Sequence, residues 1–91
     1  NETGGSLSEK CAQAAAIGVP VLLEKLQQGV TPIAQDETAS SYFGQAFIED
    51  CVLHWERPPD ELERLVRGSQ PWISAMCVLN GRIPITVRQF R

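Results

Sequence analysis

The 91-residue chain carries 8 Lys plus Arg against 11 Asp plus Glu, a formal charge of −3, with 43% hydrophobic and 21% charged residues. That is the composition of a soluble globular chain: no stretch approaches the roughly 20 apolar residues of a membrane span, and no cationic start leads into an apolar signal segment. Such a length allows one small domain at most, which alone would bury about 60–65% of its unfolded surface. The charge is uneven, with two lysines against seven acids in residues 1–50 and six arginines against four acids in residues 51–91. The acidic half argues against nucleic acid, DNA included, while the basic half leaves a contact with RNA open.

The first residue is Asn1 and not Met, so a preceding segment is expected. Asn1-Glu2-Thr3 fits the glycosylation pattern, which carries little weight without an export signal. Ser6-Leu7-Ser8-Glu9 predicts a capping box, with the Ser6 hydroxyl accepting from the Glu9 amide and Glu9 reaching back. Leu7, Cys11, Ala14, Ala15, Gly18, Leu22 and Leu26 then recur at steps of three and four, one apolar stripe on a helix running to Gln28 with Gly29 as its left-handed stop. Pro20 cannot donate to Ala16, so a kink or break is expected near Gly18.

Residues 30–50 show no sustained period. Thr31-Pro32 opens an extended stretch, residues 35–41 are polar, and Tyr42, Phe43 and Phe47 are isolated aromatics expected to hold the segment against a protein surface. Residues 51–55 read as a short strand. Pro58-Pro59-Asp60-Glu61 starts a helix, because proline suits the first turn and the acids complement its positive end. Leu62, Leu65 and Val66 form its apolar face, Glu63 and Arg67 pair four residues apart, and Gly68 is its expected stop. From Ser74 the pattern is β, turning at Asn80-Gly81 and returning with Ile83, Ile85 and Val87 in alternation. Pro84 removes a ladder donor and places that strand at an edge.

Little in the chain points to chemistry. Cys11, Cys51 and Cys77 have no ligand spacing and read as reduced, mostly packed thiols. His54 has no orienting partner in sequence and reads as a partly buried structural histidine. Asp36-Glu37 and Glu49-Asp50 could be paired carboxylates, but in a polar segment they read as capping or solvated groups. Arg64, Arg67, Arg82, Arg88 and Arg91 could form a basic face for phosphate, and otherwise are a solvated surface. Trp55 and Trp72 read as core.

Taken in order, these segments resemble formyltetrahydrofolate-dependent formyltransferases of the methionyl-tRNA formyltransferase-like kind. Thr3-Gly4-Gly5-Ser6-Leu7 with Glu9-Lys10 looks like the segment opening the last helix of their catalytic domain. Leu22-Leu23, Leu26 and Gly29 match that helix's end, and Thr31-Pro32 with Gln35-Asp36-Glu37 the family's linker. Ser41-Tyr42-Phe43-Gly44 is closer to the formyltransferases acting on amino sugars. Trp55, then Leu62, Leu65 and Arg67, then Pro71-Trp72 and Asn80-Gly81 continue into the C-terminal domain. Two positions depart: His54 where the family has an acid before the tryptophan, and Ile73 where a second proline commonly follows Pro-Trp.

The resemblance covers about residues 3 to 90. It implies an α+β chain: 1–29 ending an α/β formyltransferase catalytic domain, 30–50 an interdomain linker, and 51–91 a helix plus β-hairpin beginning an oligonucleotide-binding-type (OB-like) barrel. The implied reaction moves a formyl group from 10-formyltetrahydrofolate to an amine, on an amino sugar, another small molecule or methionyl-tRNA, in the cytoplasm. The implied partners are the remainder of the catalytic domain and a small-molecule or aminoacyl-tRNA acceptor. The family's catalytic Asn, His and Asp correspond to positions before Asn1, so this chain is assigned no catalytic, cofactor-binding or metal-ligating residue. On that resemblance Tyr42 and Phe43 either anchor the linker or line an acceptor site near the junction. Two alternatives share these features: a non-catalytic C-terminal module contacting RNA or a partner protein, and a formyltetrahydrofolate hydrolase.

Overall fold

Helix α1, Gly4–Gln28, dominates the computed structural model, which describes residues 2–89. Its capping box lies three residues ahead of the predicted one. Thr3, in an extended conformation, accepts from the Ser6 amide at 3.1 Å, and Ser6 Oγ accepts from the Thr3 amide at 2.9 Å. Two glycines are poor helix starters, but here the Gly5 amide donates to the Gln70 carbonyl at 2.9 Å, a contact between residues 65 apart that carries the helix back over Gly4 and Gly5. The break expected near Gly18 does not occur: Pro20 sits inside a continuous helix. Its fixed φ is already helical, and the alanine- and leucine-rich turns around it absorb one lost hydrogen bond. Gly29, at φ 85°, ends the helix as predicted, its amide donating to the Leu26 carbonyl at 3.3 Å.

The next segment is irregular apart from two 3₁₀ turns, Glu37–Ala39 and Ile48–Cys51. The surface expected beneath its aromatics is missing among the described residues: Ile33 and Tyr42 are each 92% exposed and Phe43 88%. The strand expected at 51–55 shrinks to a parallel bridge of Val52 with Met76, with the Leu53 amide donating to the Met76 carbonyl at 2.7 Å. A turn closed by the Arg57 amide on the His54 carbonyl ends the extension.

Helix α2, Pro59–Ser69, starts as predicted, with Pro59 in its first turn followed by Asp60 and Glu61. It runs past Gly68, which keeps a negative φ, and Ser69 Oγ donates to the Val66 carbonyl in the last turn. Strands β1 (Ala75–Leu79) and β2 (Ile83–Val87) pair antiparallel from Ala75↔Val87 to Leu79↔Ile83. Asn80 (φ 51°) and Gly81 (φ 67°) make the turn, closed by the Arg82 amide on the Leu79 carbonyl. The register leaves Arg82 as a third residue between turn and ladder, and Pro84 faces Val78. The Gln70–Pro71 peptide bond is cis.

The core is small: Leu53, Leu62, Val66, Ala75 and Cys77 are buried, with Leu65 and Val87 packed against them. One stripe of α2 thus covers the half of the hairpin face away from its turn, while Leu79, Ile83 and Ile85 stay exposed. Trp55 and Trp72, expected in the core, are 58% and 65% exposed. Five small and medium side chains leave no room for an indole, which buries about 150–250 Å². The class is α+β as expected, with two α-helices and one two-stranded sheet among the described residues.

Candidate functional site

The most constrained place in the chain is the junction between the start of α1 and the end of α2. Arg67 donates from Nη1 to the Glu2 carbonyl at 2.6 Å and from Nε to Glu63 Oε1 at 2.6 Å, tying α2 to the residue just ahead of the Thr3 cap of α1. The Glu2 carboxylate receives Lys10 Nζ at 2.6 Å and Ser6 Oγ at 2.8 Å, which hold its carboxyl below the usual range, Lys10 foremost. The Arg67 guanidinium lowers the Glu63 carboxyl in the same way, and Glu63 raises the Arg67 pKa in return. A Cβ on Gly4 would stand 2.4 Å from the Gly68 carbonyl oxygen and 2.8 Å from the Trp72 ring, and one on Gly5 2.8 Å from the Pro71 ring. Only glycine allows this approach.

An open groove of about 620 Å³ lies between the 48–57 segment and α2, lined by Glu49, Asp50, His54, Arg57, Glu61 and Arg64 over Val52, Leu62 and Leu65. Asp50 is committed to the Phe47 amide at 2.8 Å, and Arg64 to Asp60 four residues back. His54, expected to be partly buried, has its side chain 55% exposed, with Nδ1 3.7 Å from Glu56 Oε1. The turn at residues 54–57 swings it out of the small core. Exposed, without a neighbouring nucleophile, it has nothing to activate.

The remaining candidates divide. Asp36 is a cap, accepting from the Thr38 hydroxyl at 2.6 Å and amide at 3.0 Å, which lower its carboxyl pKa; Glu37 and Glu49 are exposed. Arg64 and Arg67 are each matched by a carboxylate on their own helix, and Arg67 and Arg88 line one pocket together with Glu63. Arg91 and Asn1 lie outside the described residues. Cys51 and Cys77 are buried as expected, with burial pushing the Cys51 thiol up and Asp50 adding to it, whereas Cys11 is exposed on α1. Among the described residues no cluster of His, Cys, Asp or Glu could hold a metal ion, and no helix is long and apolar enough to cross a membrane. The groove over Val52, Leu62 and Leu65 is open, and its lining sets three carboxylates beside Arg57 and Arg64, which does not select for the acidic tail of a folate donor.

The sequence reading missed Gly4, Gly5, Glu2 and Gln70. Thr3-Gly4-Gly5-Ser6 was the available signal, since paired glycines ahead of a helical stripe point to close backbone approach.

What the chain does offer is surface. No residue of α1 is buried, and Ile17, Val19, Val21, Leu22, Leu23 and Leu26 are 47–73% exposed.

No family model matches the chain. It is similar to methionyl-tRNA formyltransferases: 36% identical over 81 residues to that of Stutzerimonas stutzeri, covering 88% of this chain and 26% of that protein. It is 35% identical over 83 residues to that of Lachnospira eligens, and 34% over 83 residues to that of Desulfotalea psychrophila, with 90% of this chain and 26% of each relative covered. The chain thus spans about a quarter of the length of the curated relatives it matches. Over most of its residues, it belongs to the methionyl-tRNA formyltransferase-like family.

Proposed function

We propose that the chain is one portion of a formyltransferase that moves a formyl group from 10-formyltetrahydrofolate to a primary amine in the cytoplasm. The observation that carries this reading is identity of about 35% to methionyl-tRNA formyltransferases along nearly the whole chain. In this reading residues 1–29 close the catalytic domain, 30–50 link it onward, and 51–91 begin a C-terminal barrel. Two structural features support that division. Helix α1 exposes Leu7 and, over its second half, a run of large apolar side chains from Ile17 to Leu26, as a helix taken from a larger packed domain does. The hairpin leaves Leu79, Ile83 and Ile85 uncovered, and a two-stranded sheet is marginal in water without further strands.

The catalytic groups and the folate site belong, in this proposal, to residues beyond this chain. The acceptor is methionyl-tRNA, the substrate in the relatives' name, with an amino sugar as the competitor suggested by Ser41-Tyr42-Phe43-Gly44. The test is formyl transfer by the full-length protein, with labelled 10-formyltetrahydrofolate offered to methionyl-tRNA and, separately, to an amino-sugar nucleotide. Label on methionyl-tRNA is expected. Label on the sugar alone would reassign the acceptor, and label on neither would overturn the reading.

A further inference from the structure

Helix α1 leaves the 51–88 unit at one end only. From Gly4 to Gln28 it extends about 37 Å at 1.5 Å per residue, and residues 29–50 must run that distance back before Val52 can bridge Met76. Along the return path every residue from 30 to 50 is exposed. The opposite end is bonded at several points: Gly5 amide to Gln70 carbonyl, Arg67 to the Glu2 carbonyl, and glycine backbone pressed on residues 68–72.

We propose that the joint of Glu2–Ser6 with Arg67–Trp72 sets the direction of α1, and of whatever packs on its open face, relative to the 51–88 unit. Residues 30–50 are then a return strap that connects the two without orienting them. A linker ordinarily sets interdomain geometry through its length and stiffness. Here the orienting contacts lie before the linker in sequence, on the far side of a 25-residue helix. The geometry makes opposite demands on the two places. The joint tolerates no added atom at Gly4, where the backbone oxygens of Gly68 and Gln70 and the Trp72 ring leave no space. The strap has room for added residues around Ile33, which is 92% exposed. The inference stands on these contacts and does not require formyl transfer.

The experiment uses the full-length protein in a Cys11→Ser background, with spin labels on a Glu24→Cys variant, on the side of α1 away from its apolar stripe, and on an Arg82→Cys variant at the hairpin tip; buried Cys51 and Cys77 stay unlabelled. Electron–electron distances are measured in four forms: otherwise unaltered, Gly4→Ala, Arg67→Gln, and with Gly-Ser-Gly-Ser inserted between Ile33 and Ala34. A single narrow distance is expected in the unaltered and inserted forms. Broadening or a shifted maximum is expected in the two joint variants, and if Gly4→Ala fails to fold, Arg67→Gln carries the test. A broad distribution in the unaltered protein, joint variants that keep the narrow distance, or broadening on insertion would each overturn the proposal. A narrow distance in a protein that transfers no formyl group would leave the joint standing and remove only the functional reading.

Discussion

Leu62 and Val66 are 5% and 2% exposed, and with Leu53, Ala75 and Cys77 they are nearly all the core that 51–88 possesses. With so few members, each matters more than it would in a larger domain. Leu62→Ala should destabilise this unit by about 2–5 kcal/mol, enough to unfold much of it, and a drop in the denaturant midpoint is the measurement that checks it. The charged residues above the core act more weakly. Glu63 has its carboxyl lowered by Arg67, so its folded pKa lies below the ordinary 4.5. Its contribution is therefore present at neutral pH and is lost as pH falls through that lower folded value. Glu63→Gln should lower stability at pH 7, and its effect should shrink as pH falls through the lowered folded value. Denaturation curves of both proteins across a descending pH series read the difference directly.

At the scale of elements, two glycines of opposite character, one inside a helix and one in a turn, make a paired test. Gly18 lies inside α1 with open space around it, so Gly18→Ala should stabilise the helix by up to about 1 kcal/mol. Gly81 sits at φ 67° in the β1–β2 turn, so Gly81→Ala should cost about 1–2 kcal/mol although its surroundings are equally open. Thermal melts of both variants, side by side, should move in opposite directions. What the sequence disclosed follows the same line between local and distant causes. Helix α2, its proline start and its Leu62–Leu65–Val66 face depend on neighbours within two turns, and so does the Asn80-Gly81 turn; all were legible. The Thr3 cap was not, because Gly4 and Gly5 become helical only through Gln70. The two tryptophans were misplaced because indole size says nothing of how small the available core is. Of the candidate site, Asp36 and Asp50 were legible as caps, whereas the joint exists only once residues 2–5 and 67–72 meet in space.

The whole molecule is far from the shape of a closed domain. Its radius of gyration is 19.0 Å, where a compact chain of this length has about 12 Å. Its accessible surface is 8026 Å², about half again the roughly 5,200 Å² of a compact 10.0 kDa protein. Both excesses come from α1 and residues 30–50, which carry most of the exposed large side chains. A surface of this kind is stable only when covered, which ties the shape to the proposed place of the chain in a larger enzyme. Amide hydrogen exchange, compared residue by residue between the isolated 91-residue chain and the full-length protein, tests that most directly. The account predicts fast exchange along Leu7–Gln28 in the isolated chain and strong protection of the same amides in the full-length protein. Equal exchange in the two, with α1 either protected in both or open in both, would contradict it.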